Sequence, residues 1–208
     1  MSKSALWCAD RWLPDLYDRA RRYCGLDWSG GGPETWAFRY FDLIPTSHPS
    51  LVEPVDVVAC SALHPGISRD DLTYFDRHAG DFDRWVRDLP DDVDLGNADA
   101  DLVARVSGLS GLSGSVGLSL LSKVAHRKRP RLVPMLDRAI VDRYRPITGQ
   151  RGEQAWPAMV TAIHADLAAD RNIQLLAETA AALQDALGTS APSPLRVLDI
   201  AIWMDGVR

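Results

Sequence analysis

Helical spacing of apolar side chains is the feature that most constrains the fold, and residues 172–187 show it most clearly. Leu176, Ala180 and Leu183 are three or four positions apart, as on one face of an α-helix, and Gly188 is a typical stop signal. No convincing series of alternating apolar and polar residues indicates a half-buried sheet. The sequence therefore predicts an all-α fold of about eight to ten helices. We expect them near 10–24, 34–44, 54–63, 69–88, 98–106, 118–128, 137–145, 153–168, 172–187 and 194–204.

Length and composition indicate one soluble domain. The chain has 208 residues, of which 46% are hydrophobic and 25% are charged, and such values are ordinary for globular proteins. We expect a single domain over residues 1–208 that could comprise two lobes. No run approaches the roughly 18 apolar residues of a membrane helix, and the first residues lack the apolar core of a signal peptide. A cytoplasmic protein without a membrane partner is the expectation.

Cysteine and histidine positions argue against a metal site. Cys8, Cys24 and Cys60 are widely spaced, odd in number and without a CxxC pair, so neither a disulfide framework nor structural zinc is indicated. The five histidines fit neither HxxxH nor HExxH. We predict no metal ligands.

Charge is distributed unevenly along the chain. The net charge is −5, yet residues 121–145 contain eight basic and two acidic side chains, and residues 70–101 are rich in aspartate. Such asymmetry suggests an acidic partner for the basic segment. The other interpretation is a solvated helix face whose cations pair with nearby acids.

Glycines recur at every third position from Gly108 to Gly117. Each would weaken a helix by about 1 kcal/mol relative to alanine, so an ordered turn is the better explanation. We predict a helix, a tight hairpin, and a second helix whose exposed N–H groups can bind an anion. Lys123, Arg127 and Lys128 on that second helix would contact the DNA backbone. A P-loop is excluded because no Gly-Lys-Ser/Thr follows, and a Rossmann fingerprint because no strand precedes.

Three short motifs carry a resemblance to a known family. The run Gly114-Ser-Val-Gly117-Leu-Ser119, the pair Arg129-Pro130 and the stretch Leu132-Val-Pro-Met-Leu-Asp137 resemble the helix-hairpin-helix DNA glycosylase superfamily. The pattern Lys-Arg-Pro-x-Leu-x-Pro-x-x-Asp looks more closely like a group of uncharacterised bacterial proteins related to those enzymes. The resemblance covers residues 108–145 and departs from the family in its Gly-x-x-Gly spacing. It implies a helix-hairpin-helix, glycosylase-like bundle.

The resemblance implies roles for individual residues. Gly114, Ser115 and Gly117 would hold a DNA phosphate through backbone N–H groups, and a monovalent cation could bind the hairpin carbonyls. Asp137 would stand at the place of the catalytic aspartate. Ser119 falls where bifunctional members carry a Schiff-base lysine and some monofunctional members carry serine. Lys123 is expected to point elsewhere on its helix, so lyase activity is not implied. An iron–sulfur cluster is excluded because no cysteine follows Cys60.

These inferences lead to a monofunctional DNA glycosylase-like enzyme that acts on a modified or damaged base in double-stranded DNA. A carboxylate such as Asp137 would stabilise the positive charge that develops on the sugar. Base flipping requires an apolar pocket, for which the candidate walls are Trp36, Tyr40, Phe41 and Trp203. Asp137 can also be explained as a helix N-cap alone.

Two alternatives stay open. The first is a non-catalytic DNA-binding module on the same scaffold, and the second is a helical protein-interaction protein. Asp56 and Asp199 lie in apolar helical stretches, where each is expected to be a buried, paired carboxylate or a cap. Arg196 is three residues from Asp199, so an i,i+3 ion pair is the simplest expectation for it.

Overall fold

The computed structural model describes residues 5–26, 37–46, 48–64, 66–188 and 192–206, and these residues are mostly helical. The α-helices are α1 (Leu16–Tyr23), α2 (Pro54–Ala59), α3 (Arg69–Arg87), α4 (Ala100–Ser107), α5 (Gly117–Lys128), α6 (Arg138–Thr148), α7 (Trp156–Ala168), α8 (Asp170–Leu187) and α9 (Pro194–Gly206). Phe38–Asp42 forms one turn of π-helix, and 3₁₀ turns occupy Cys60–Ala62, Leu95–Asn97, Gly108–Leu112 and Gly152–Ala155.

Most helices form where the apolar spacing and the capping residues predict them. Ser68 accepts a hydrogen bond from the Asp71 amide at the start of α3, and Gly188 ends α8 with a positive φ of 63°. The helix predicted near 54–63 forms as α2, which begins at Pro54 with Glu53 as its cap and continues into the 3₁₀ turn Cys60–Ala62. The coarse prediction of a helical fold is confirmed. Of the helix predicted at 34–44, residues 34–36, including Trp36, lie outside the described residues.

A two-stranded hairpin at the N-terminus corrects the predicted helix over 10–24. Strands β1 (Leu6–Cys8) and β2 (Arg11–Leu13) pair antiparallel, and the helix begins only at Leu16. Ala9 and Asp10 turn the chain with φ of 50° and 58°. Arg143 of α6 donates hydrogen bonds to the carbonyls of Cys8 (3.2 Å) and Arg11 (2.9 Å). The hairpin is thus held by contacts distant in sequence, which local spacing does not reveal.

Helices α5 and α9 form the centre of the core. Every residue of α5 from Leu120 to Lys128 is buried, although four of its side chains are basic or histidine. Helix α9 packs against α1, α6 and α8. The buried apolar side chains join into one cluster that extends from Leu6 to Met204. None of the described helices combines the length and apolarity that crossing a bilayer requires.

Candidate functional site

Asp137 lies at the junction between a connecting segment and α6. The connection runs from Arg129 to Leu136 and is buried from Leu132 onward. Ser122 of α5 fixes its end by accepting a hydrogen bond from the Leu136 amide (2.8 Å). Asp137 is the N-cap of α6, because its Oδ1 accepts a hydrogen bond from the Ala139 amide (3.0 Å). Its Oδ2 lies 3.8 Å from the Lys123 ammonium, and 26% of the side chain is exposed. One oxygen therefore serves the helix, and the other faces a charged neighbour at a partly open position.

Ser119 and Lys123 meet Asp137 from α5. The Lys123 Nζ lies 3.0 Å from the Ser119 Oγ, and it donates to the carbonyls of Ser119 (3.3 Å) and Leu136 (3.4 Å). The Lys123 side chain is 1% exposed, whereas Ser119 is half-buried. Burial lowers the pKa of Lys123, and the Asp137 charge offsets this in part. The expectation that Lys123 points away from Ser119 is wrong, because one helical turn and a flexible stem bring its amine back to that residue.

A small cavity lies beside Lys123 and Asp137. Its volume is about 20 Å³, and Lys123, Asp137 and Asp199 line it together with apolar side chains such as Ile140 and Trp203. Asp199 is 2% exposed, and neither of its carboxylate oxygens has a hydrogen-bond partner within the described ranges. Burial raises the pKa of Asp199 to about 7, although Arg196 favours its charged form. A buried acid without a partner is costly unless a proton or a water satisfies it.

Arg196 does not form the expected i,i+3 pair with Asp199. Its guanidinium instead binds Asp42 with two hydrogen bonds, of 2.7 Å and 2.8 Å, and donates to the Tyr23 hydroxyl (2.5 Å). The Tyr23 hydroxyl in turn donates to Asp42 (2.8 Å). The planar guanidinium of Arg196 fits the Asp42 carboxylate of the π-helical turn better than the Asp199 carboxylate of its own helix. Asp199 is left without this partner, which explains why burial dominates its protonation.

Arg127 and Lys128 belong to the interior. Both form ion pairs with Asp56 of α2, whose side chain is fully buried. Arg127 also donates to the carbonyls of Phe41 (2.6 Å) and Ile44 (3.0 Å), and Lys128 donates to the Thr46 hydroxyl (2.7 Å). The prediction that Lys123, Arg127 and Lys128 contact the DNA backbone is therefore wrong, because all three cations are buried and satisfied by this chain's own atoms.

The rest of the basic segment is divided between the interior and the surface. Arg129 is buried and donates to the carbonyls of Leu89 (2.8 Å) and Val86 (2.7 Å). Arg131, Arg138 and Arg145 are exposed. A minority of these cations thus lie on a solvent-exposed face, as the second interpretation predicts. Most of the others are buried and hold backbone segments in place by donating hydrogen bonds to carbonyls.

The glycine-rich segment joins α4 to α5, but its first part, Gly108–Leu112, is a 3₁₀ turn and not part of the predicted tight hairpin. Gly114 and Gly117 adopt positive φ of 46° and 73°, which explains glycine at these two positions. A Cβ on Gly114 would lie 2.5 Å from the Tyr74 hydroxyl, which itself donates to the Leu112 carbonyl (2.6 Å). Gly114 and Ser115 are exposed, and Gly117 is half-buried. The Leu118 amide donates to the Glu153 carboxylate. The anion position predicted at the start of α5 is thus occupied in part by the protein's own acid.

A larger cavity of about 750 Å³ lies beside Arg196, away from the glycine-rich turn. The π-helical turn, the end of α5, α8 and the start of α9 form its walls, with Phe38, Phe41, His126 and Arg196 among the lining residues. Arg196 also lines the small cavity beside Asp137. Of the aromatic residues predicted to form a base pocket, Phe41 lines the larger cavity and Trp203 lines the smaller one, while Tyr40 is 47% exposed. The volume of the larger cavity lies within the range of small-ligand sites.

A family model for proteins of unknown function, DUF6308, matches residues 17–206. The chain belongs to this family. The match extends from α1 to α9 and includes the glycine-rich turn, the central helices α5 and α9, and every residue of the small cavity. No curated protein and no solved structure matches the chain.

Ser119 and Asp137 were predicted from the sequence as site residues, and in the structure both lie near the Lys123 ammonium. No role was predicted for Glu153 or Tyr23. Asp199 and Arg196 were expected to form an ion pair with each other, and they do not. The available signal for Asp199 was an acid within an otherwise apolar helix, which is the pattern of a buried ionisable group.

Proposed function

We propose that this protein hydrolyses the N-glycosidic bond of a modified or damaged base in double-stranded DNA, as a monofunctional glycosylase. The observation that carries the proposal is the arrangement of Asp137, Ser119 and Lys123. Asp137 retains one carboxylate oxygen that does not cap α6, at the place where the family resemblance implies a catalytic aspartate. That oxygen can stabilise positive charge on the sugar as the base departs.

The neighbouring groups support a hydrolytic rather than a lyase reaction. Lys123 is almost fully buried and bonded to two carbonyls, so its amine is not available to attack a sugar. Ser119 is half-buried beside Asp137 and can hydrogen-bond a sugar oxygen or the attacking water. The product would be an abasic site in an intact strand.

The base itself needs a separate pocket. The larger cavity has aromatic walls at Phe38 and Phe41 and can accept a flipped base by size and apolarity. Arg196 lines both this larger cavity and the small cavity beside Asp137, so the two cavities share one wall residue. For the DNA backbone, the exposed Ser115 at the glycine turn and the exposed Arg138 and Arg145 of α6 take the place of the buried cations.

A base-release screen tests the proposal. The full-length protein is incubated with genomic DNA damaged by alkylation, deamination and oxidation, and free bases are measured by mass spectrometry. We expect release by the wild type and at least about a hundredfold loss in Asp137→Asn at unchanged DNA affinity. Asp185→Asn is the control, because Asp185 is an exposed acid on α8 and has no part in the proposed site.

Two results would refute this activity. No base release from any of the damaged DNAs, despite salt-dependent duplex binding, would favour a non-catalytic DNA-binding module. The N-cap hydrogen bond of Asp137 already gives that alternative a structural explanation. Trapping of a covalent complex by borohydride would refute the monofunctional mechanism, because it requires a Schiff base.

A further inference from the structure

We propose that Asp199, Lys123 and Asp137 enclose one ordered water, and that Asp199 accepts through it the proton lost by the water that attacks the sugar. The proton-transfer role rests on the proposed function, whereas the hydrated acid site stands on geometry alone. Asp199 is a positioning and proton-accepting residue here, since its carboxylate does not contact the DNA.

The geometry favours a single water molecule. A cavity needs at least about 10–15 Å³ and several polar partners to hold a water, and this one offers about 20 Å³. Both oxygens of Asp199 lack a hydrogen-bond partner within the described ranges. Lys123 and Asp137 line the same space, and the Asp137 Oδ2 is an acceptor that does not cap α6. A water there satisfies the buried acid and joins it to Asp137.

The charged and titratable groups around Asp199 come from several elements. They are Lys123 of α5, Asp137 before α6, Tyr144 of α6, Arg196 of α9, Asp42 of the π-helical turn and Tyr23 of α1. Burial raises the pKa of Asp199 to about 7, and the Arg196 charge offsets only part of this. The Met135 amide also favours the charged form, although it does not reach hydrogen-bond geometry with either carboxylate oxygen. A group that titrates near neutral pH can both accept and return a proton during turnover.

The C1′–N bond breaks and its electron pair leaves with the base, while a water oxygen forms the new bond to C1′. The proton from that water passes through Asp137 and the enclosed water to the Asp199 carboxylate, which becomes a neutral acid. Asp199 later returns the proton to solvent, and the released base takes one proton from solvent.

Infrared spectroscopy tests the site without any need for activity. We expect the carbonyl band of a protonated carboxylic acid to titrate near neutral pH in the wild type and to be absent in Asp199→Asn. Asp205→Asn is the matched control, since Asp205 is also on α9 but pairs with Arg19 (2.9 Å). A crystal structure should contain one water between Asp199 and Lys123. An empty cavity, or a band unchanged in Asp199→Asn, overturns the hydrated site.

Base release from the damaged genomic DNA tests the proton role. Asp199→Asn should release base at least about tenfold more slowly at pH 8 and should lose the decline in rate below about pH 7. An unchanged pH profile in Asp199→Asn, with an active wild type, overturns proton transfer but leaves the proposed function intact. If the wild type releases no base, the proposed function and the proton role both fail, while the infrared band and the water still decide the site. If Asp199→Asn does not fold, Asp199→Glu should keep an infrared acid band, expel the water and slow base release.

Discussion

Asp56→Asn should destabilise the protein strongly, because it removes the single acid that two buried cations share. Asp56 and Lys128 have side chains that are fully buried, and Arg127 is 4% exposed. The asparagine keeps the size of the side chain and an acceptor for the Glu53 amide, so the loss is mainly one of charge. Breaking a buried ion pair from one side typically costs about 3–5 kcal/mol.

The expected loss in the free energy of unfolding follows from the hydrogen bonds that Lys128 and Arg127 keep without Asp56. After the change, Lys128 still donates to the Thr46 hydroxyl and the His48 carbonyl, and Arg127 still donates to the Phe41 carbonyl. These bonds solvate both cations in part, so we expect a loss of about 3–4 kcal/mol in the free energy of unfolding. For a chain of this size that corresponds to a fall in Tm of about 10 °C.

Urea unfolding and thermal melts followed by circular dichroism measure both values. The control is Asp94→Asn, which breaks a surface pair with Arg131 at 2.6 Å and should cost no more than about 1 kcal/mol. If Asp56→Asn loses less than the control, the cations are not held inside the protein. They would then be available to DNA, and the burial argument would be refuted.

Three further predictions concern acids, histidines and glycines. The pKa of Asp199 is raised to about 7, above the ordinary value near 4 in the unfolded chain, so the folded state retains a proton that the unfolded state loses. The free energy of unfolding of the wild type relative to Asp199→Asn should therefore fall as pH rises from about 4 to about 7 and level off above about pH 7. Urea titrations measure this difference, and a difference that does not change with pH would contradict the prediction. Burial lowers the pKa of His126 to about 4, so its NMR ring signals should not titrate between about pH 8 and 5, whereas a midpoint near 6.5 would show an exposed ring. Gly114→Ala should cost about 1–3 kcal/mol, because it combines a positive φ with a clash against Tyr74, while Gly108→Ala, with open space around its Cβ position, should be neutral or slightly stabilising.

The helices could largely be predicted from the sequence because their signals are local. Ser68 precedes α3 with Asp71 three residues later, and Gly188 follows α8, so the spacing and the caps agree. The N-terminal hairpin could not be predicted. Its three-residue strands carry too little pattern, and it is stabilised by Arg143 from more than a hundred residues away.

The candidate site was predictable only for residues that local rules constrain. Asp137 is recognisable as an acid before a helix, and the resemblance gives it a second role. The burial of Arg127 depends on Asp56 and on carbonyls near Phe41, which lie 71 and 86 residues away in the sequence. A basic run on an isolated helix is expected to face solvent or a ligand, so only the tertiary structure reveals that these cations hold the core together.

A structure of the protein bound to duplex DNA that contains an uncleavable abasic-site analogue decides whether Asp137 acts on the sugar. We expect the Asp137 Oδ2 beside the sugar ring, the turn at Gly114–Gly117 on a phosphate, and Lys123 still buried behind Ser119. A duplex bound at another face, with the Asp137 carboxylate facing only its own helix, would refute the proposed role of Asp137.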